Sequence, residues 1–208
     1  MHTTTNFSKA ITNRNNSQII VFDTPGLVTK KEMKKHKLDE KFVSSCRHSI
    51  QRSNLIGVLH DVSNHWTRSE IHPMILNLLR EYQKIPSFLI LNKIDRLRSK
   101  RSLLDVIKTL TCNNISLKHL QLERKKNSGE PQPADKEQEK SHEKIVEVGW
   151  PHFKGVFMVS SLQGDGVERV IEFIESQAVP GNWEFKNNET TDQTPEAIIE
   201  QFVRARLL

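Results

Sequence analysis

The stretch Ser87-Phe88-Leu89-Ile90-Leu91-Asn92-Lys93-Ile94-Asp95 decides how this chain is read. Its first five residues form a short, mainly apolar run that reads as a buried strand. The run ends in Asn-Lys-x-Asp. A carboxylate at Asp95 can accept two parallel hydrogen bonds, and the edge it suits is that of guanine, with its N1–H and exocyclic N2 amine. Adenine presents a lone pair at N1 and no N2 amine, so a buried Asp95 would be left unpaired, and unpaired polar groups discriminate strongly. Lys93 would lay its methylene stem across the base plane, and Asn92 would tie the loop to its neighbours. Taken alone, the same four residues make an ordinary turn after a strand.

Two further strand-and-loop pairs share the pattern. Upstream, the apolar run 18–22 ends in Asp23-Thr24-Pro25-Gly26. An Asp here suits a water-mediated hold on Mg²⁺, and the bare backbone of Gly26 suits close approach to a γ-phosphate. A plain Pro-Gly turn is the bland alternative. Downstream, 156–159 runs into Ser160-Ser161-Leu162, a loop of small residues able to present backbone N–H groups to guanine O6. Gly164-Asp165-Gly166 then opens a helix over 167–177. Three loops in this order, each at a strand's carboxyl end, predict an α/β fold. It is a P-loop NTPase-type G domain with a mostly parallel sheet and its sites at strand carboxyl ends.

At these residues the chain resembles the Era family of GTPases, most closely its mitochondrial branch in animals. DTPGLV at 23–28, NKID at 92–95, GWPHFKGVFMVSSL at 149–162 and PGNWEF at 180–185 carry the resemblance. His2-Thr3-Thr4 is similar to that family's first switch loop. The resemblance implies GTP or GDP with Mg²⁺ as ligands, the metal held by Asp23 and by Thr4, with Thr3 the alternative. It implies nucleotide contacts from Asn92, Lys93, Asp95, Ser160, Ser161, Leu162, Asp23, Gly26 and Thr4, and assigns no catalytic residue. Many GTPases orient the attacking water with a Gln just after Asp-x-x-Gly. Leu27 stands there and cannot hydrogen-bond, so hydrolysis is expected to be slow or to rely on groups elsewhere. As partners the family implies small-subunit ribosomal RNA and the assembling small subunit, bound through an RNA-binding KH domain. It also implies the mitochondrial matrix, with a peripheral contact to the inner membrane.

Two departures shape the expectations. No Gly-x-x-x-x-Gly-Lys-Ser/Thr occurs in the 208 residues, and no Gly-x-x-Gly of the kind that clamps an RNA backbone. The fold is therefore expected to be incomplete at the N-terminus, without the first central strand and phosphate loop. Residues 1–180 read as a partial G domain, and 181–208 as a linker and helix leading toward an absent KH domain. The chain by itself is expected neither to bind GTP with useful affinity nor to fold alone. The alternatives are a pseudo-GTPase interaction module and a related GTPase acting on other RNA.

Composition sets the remaining bounds. Two cysteines without a CxxC argue for a reducing compartment and against a zinc or disulfide scaffold. No apolar run approaches the roughly 20 residues of a membrane span, and no Arg-rich amphipathic transit peptide is visible. The net charge of +6 suits an RNA partner, with basic clusters at 30–37, 96–101 and 118–126, each of which taken singly reads more readily as a solvated helix face. Residues 123–144 hold no Val, Ile, Leu, Met or aromatic residue and read as a disordered insert. Helices are expected over 39–53, 67–83, 102–111 and 194–208, and strands over 8–12, 18–23 and 55–59. Trp183 and Phe185 are expected to pack on the domain. His60, His65 and Asp61 suggest a metal only weakly, since no fourth ligand is evident.

Overall fold

The computed structural model describes residues 8–24, 41–97, 99, 102–114 and 148–207. Thr3, Thr4, Gly26, Leu27, the basic clusters at 30–37 and 118–126 and the insert at 123–144 lie outside these residues. In chain order the elements are β1 (Ser8–Arg14), β2 (Ser17–Asp23), α1 (Lys41–Gln51), β3 (Ile56–Asp61) and α2 (Pro73–Glu81). They continue with β4 (Ser87–Asn92), α3 (Ser102–Leu110), β5 (Phe153–Met158), α4 (Val167–Ser176) and α5 (Pro195–Leu207). Among the described residues, no helix is long and apolar enough to cross a membrane.

β4 is the middle strand of a parallel three-stranded sheet of order β3-β4-β5. Its side chains alternate between two cores. Leu89 and Leu91, both fully buried, join Val58, Leu79, Leu103, Val106, Ile107 and Leu110, so α2 and α3 cover that face. Phe88, with Ile90 beside it, faces Phe157, Val159 and Val170, so α4 covers the other. A strand buried on both faces carries no polar alternation, which is why its sequence is a continuous apolar run. Burying each of these leucines contributes about 1.5–3 kcal/mol. α1 joins from the side through Cys46 and Ile50 against Leu78. In β5 the pairing slips between Ser87 and Leu89, which face Phe153 and Val156 respectively. That extra residue lets Phe153 and Val156, three apart, point into the same core.

β1 and β2 form a separate antiparallel hairpin. Its ladder runs to Arg14↔Ser17, beyond the strands expected over 8–12 and 18–23, so the turn is only Asn15-Asn16. Asn15 takes a φ of 51°, a left-handed conformation that Asn tolerates better than most residues. Arg14 ties the hairpin to α4 by ion pairs with Glu168 and, at 3.3 Å, with Glu175. Among the described residues no strand pairs with the second edge of β3 or of β2. Leu59 is 63% exposed and Val21 48%.

One expected helix begins later than its apolar spacing implies. Residues 67–72 are turn and extended chain, and α2 starts at Pro73. Proline has no N–H and its ring clashes with the preceding turn, so it is tolerated at the first helical position and not seven residues in. His72 Nδ1 caps the helix by accepting from the Met74 amide at 3.3 Å. α5 starts at Pro195, with Thr194 Oγ1 accepting from the Ala197 amide at 3.4 Å.

Candidate functional site: a base-recognition pocket at the carboxyl ends of β4 and β5

The parallel sheet sends the loops after β4 and β5 out on the same side, and they meet there. Asn92, Lys93, Asp95, Arg96, Ser161 and Leu162 line one open pocket of about 320 Å³. Six of the residues singled out from sequence fall in this cluster: Asn92, Lys93, Asp95, Ser161 and Leu162 on its lining, and Ser160 just beneath. Asp23 lies elsewhere, at the carboxyl end of β2 in the hairpin sheet. Thr4 and Gly26 are outside the described residues.

Asn92 ties the two loops together. Its Oδ1 accepts from the Lys93 amide at 2.8 Å, the Ser161 amide at 3.1 Å and the Ser161 hydroxyl at 3.0 Å. Asp95 is held by a second bridge. The Ser160 hydroxyl, fully buried, donates to Asp95 Oδ1 at 2.6 Å and accepts from the Gln163 amide at 3.3 Å. Asn92 thus links the loop after β4 to the loop after β5 through one oxygen. The Ser161 amide, one of the N–H groups expected for a base carbonyl, is engaged by Asn92 instead.

The backbone between these bridges is bent. Lys93 takes φ 64° and ψ 36°, and 94–96 close a single 3₁₀ turn in which the Arg96 amide donates to the Lys93 carbonyl at 3.1 Å. A non-glycine residue in the left-handed region is uncommon and is kept there only by its surroundings. The loop after β5 needs glycine: Gly166 has φ 76°, and a Cβ on it would stand 2.2 Å from the Met158 carbonyl oxygen. The turn it allows pairs Ser160 with Asp165 and opens α4.

Sequence reasoning offered Asp61 as a weak metal ligand and gave it no contact. It is the register partner of Asn92 across β3 and β4. Its Oδ2 pairs with Lys93 Nζ at 2.6 Å, and its Oδ1 accepts from the Ser63 amide at 2.8 Å and hydroxyl at 2.6 Å. Partial burial by itself pushes this carboxyl up, but the bonds from Lys93 and Ser63 outweigh it and hold the pKa below the usual carboxylate range. The two histidines beside it have other partners. His60 Nε2 is 2.9 Å from the Arg68 carbonyl oxygen, and the His65 ring stacks on Trp66 at 6.0 Å.

A parallel α/β sheet whose Asn-Lys-x-Asp and Ser-Ser-Leu loops converge on one pocket defines the class: this is the fold of a P-loop GTPase domain. A family model described as "50S ribosome-binding GTPase" matches residues 1–93. The chain is 32% identical to "GTPase Era, mitochondrial" of Salmo salar over 238 aligned residues, covering 100% of this chain and 52% of that protein. With the Danio rerio protein of the same name it is 33% identical, covering 100% of this chain and 51% of that one. A solved structure of Era in complex with MgGDPNP and nucleotides 1506–1542 of 16S ribosomal RNA superposes with a TM-score of 0.65 at 18% identity. That match covers 97% of this chain and 54% of the other. The chain is similar to the mitochondrial Era GTPases over its whole length, and it spans about half the length of the curated relatives it matches.

Proposed function

We propose that this chain is the guanine-recognising part of an Era-type GTPase that binds small-subunit ribosomal RNA and assists assembly of the mitochondrial ribosome. One observation carries the reading: a buried serine hydroxyl fixes the Asp95 carboxylate inside a pocket lined by Lys93 and Leu162. Asp95 would accept from guanine N1–H and N2, the Lys93 stem would cover one face of the base, and Leu162 would lie at the pocket's rim. With the Ser161 amide engaged by Asn92, a base carbonyl would be met by the amide of Leu162. GTP or GDP supplies the base and phosphates, and Mg²⁺ neutralises the phosphate charge. Asp23 and Thr4 would hold the metal, and Gly26 would approach the γ-phosphate.

The residues present fit the base half of such a ligand. The phosphate half has no Gly-x-x-x-x-Gly-Lys-Ser/Thr among the 208 residues. A second reading is an interaction module that keeps the base pocket alone. The ribosomal partner is supported by the likeness to Era solved with a 16S ribosomal RNA fragment and by a net charge of +6. Residues 1–180 are read as the G-domain part and 181–208 as a connection toward an RNA-binding domain. The mitochondrial matrix, with peripheral attachment to the inner membrane, is the compartment proposed.

Competition binding on the full-length product of the locus tests both readings. Fluorescent GDP should bind with Mg²⁺ dependence and be displaced by GTP but not ATP. Asp95→Asn should move the preference from guanine toward xanthine by at least about tenfold, since one mispaired hydrogen-bonding edge costs that much. Undiminished guanine preference in Asp95→Asn would overturn the base assignment. Absence of any GDP binding would favour the interaction module.

A further inference from the structure

We infer that Asp61 is a positioning residue for the base pocket: with Ser63 it clamps the Lys93 ammonium, so that the lysine stem is already laid across the site before a nucleotide arrives. The inference rests on the guanine reading above and deepens it. Lys93 leaves the end of β4 with a left-handed backbone, and its side chain crosses to the end of β3. A lysine stem has four rotatable carbons and about half of this one is open to solvent, 47% by exposure. Left free, it would sample many rotamers and would have to be ordered by each incoming base. One carboxylate prevents this by dividing its oxygens. Oδ1 takes the Ser63 amide and hydroxyl, which fixes the carboxylate itself in a tight turn. Oδ2 then takes the ammonium at 2.6 Å. The register supplies the placement, because Asp61 stands directly opposite Asn92, the residue before the lysine. The same Asn92 accepts the Lys93 amide. Backbone and ammonium of Lys93 are therefore anchored at opposite ends, and the apolar stem between them is the part left to face the base. Asp61 needs no contact with the ligand to do this.

Two measurements on the full-length product test the inference. The first needs no nucleotide. Lys93 acylation by acetic anhydride, followed by mass spectrometry, should be slow in the parent and several-fold faster in Asp61→Ala, with Ser63→Ala between them. The second is a double-mutant cycle in fluorescent GDP affinity. Asp61→Asn should weaken GDP about two- to fivefold, the range of a partly exposed ion pair. Asp61→Glu should recover part of the loss, and Asp61→Asn should add nothing in a Lys93→Met background. Equal acylation rates in parent and Asp61→Ala, or full additivity in the cycle, would overturn the clamp while leaving guanine recognition intact. If the parent binds GDP and ADP equally, the guanine reading itself fails and the inference with it.

Discussion

The side-chain amide of Gln18 and the peptide of Phe185 hydrogen-bond to each other in both directions. Gln18 Nε2 donates to the Phe185 carbonyl at 2.9 Å, and its Oε1 accepts from the Phe185 amide at 3.0 Å and the Glu184 amide at 2.9 Å. Around this pair the segment after α4 lies along the hairpin. The Ile11 amide donates to the Thr190 carbonyl at 2.8 Å, Ala10 bridges Thr191, and the Lys9 amide donates to Asp192 at 2.9 Å. Lys9 Nζ stands 5.1 Å from the centre of the Phe185 ring, and Trp183 remains 40% exposed. The stretch expected as a polar linker is therefore bonded to β1 and β2 along much of its length, and Phe185 is the aromatic that packs.

This attachment gives the first prediction. Gln18→Ala removes four bonds, one of them to Asn13 Oδ1, and leaves two amides and a carbonyl in a partly buried groove. It should destabilise the protein by about 1–3 kcal/mol. Hydrogen exchange should speed up at the Glu184 and Phe185 amides while the amides of β4 stay protected. Unchanged exchange at those two amides would show that the strap is held by other contacts.

The two thiols report the core. Cys46 is 5% exposed between α1 and α2, and burial pushes its thiol pKa up, with Arg47 opposing less strongly. Cys112 is exposed at the end of α3. In native conditions a thiol reagent should modify Cys112 quickly and Cys46 at least about 100-fold more slowly, because both access and thiolate fraction are reduced. In denaturant the two rates should converge. Equal rates without denaturant would mean that α1 does not pack as described.

The contrast between what could and could not be read from sequence follows the range of each interaction. β4 was legible because burial on both faces leaves a continuous apolar run, and the base loop was legible because it follows that run directly. The helix over 67–83 was over-extended because Ile71, 1% exposed, keeps the helical spacing while belonging to extended chain. Its amide donates to the Val148 carbonyl at 2.8 Å, far away in sequence. Asp61 was noticed at a strand end, but its pairing with Lys93 depends on the register of β3 against β4, which no local pattern encodes. The Gln18–Phe185 pair is a contact of the same kind.

Acid should weaken the Asp61–Lys93 contact in a defined window. The folded pKa of Asp61 lies below its ordinary value of about 3.9. Its contribution is therefore complete above that value and fades as pH falls through the lowered folded pKa. With 41% of the Asp61 side chain exposed, the contribution is under about 1 kcal/mol. The thermal midpoint of the parent should exceed that of Asp61→Asn by a small constant amount above pH ~5, and the gap should close toward pH ~2. A gap that widens on acidification would contradict a depressed Asp61 pKa.

Asn92 separates scaffold from ligand contact within the pocket. Its Oδ1 serves three donors from two loops, so the acceptor matters more than the amide group. Asn92→Ala leaves those donors to water or to nothing and should cost about 1–2 kcal/mol of stability. It should also free Ser161 and loosen the 160–163 turn that positions Ser160 against Asp95. Asn92→Asp keeps an acceptor at the same place and should retain most of the stability. The check is urea denaturation of the two variants, with hydrogen exchange followed at the Lys93 and Ser161 amides. Faster exchange at both amides in Asn92→Ala, and near-parental exchange in Asn92→Asp, is the expected pattern. If the two variants lose stability equally, the loops are held by something other than this one oxygen, and the ordering of Asp95 by Ser160 cannot depend on it.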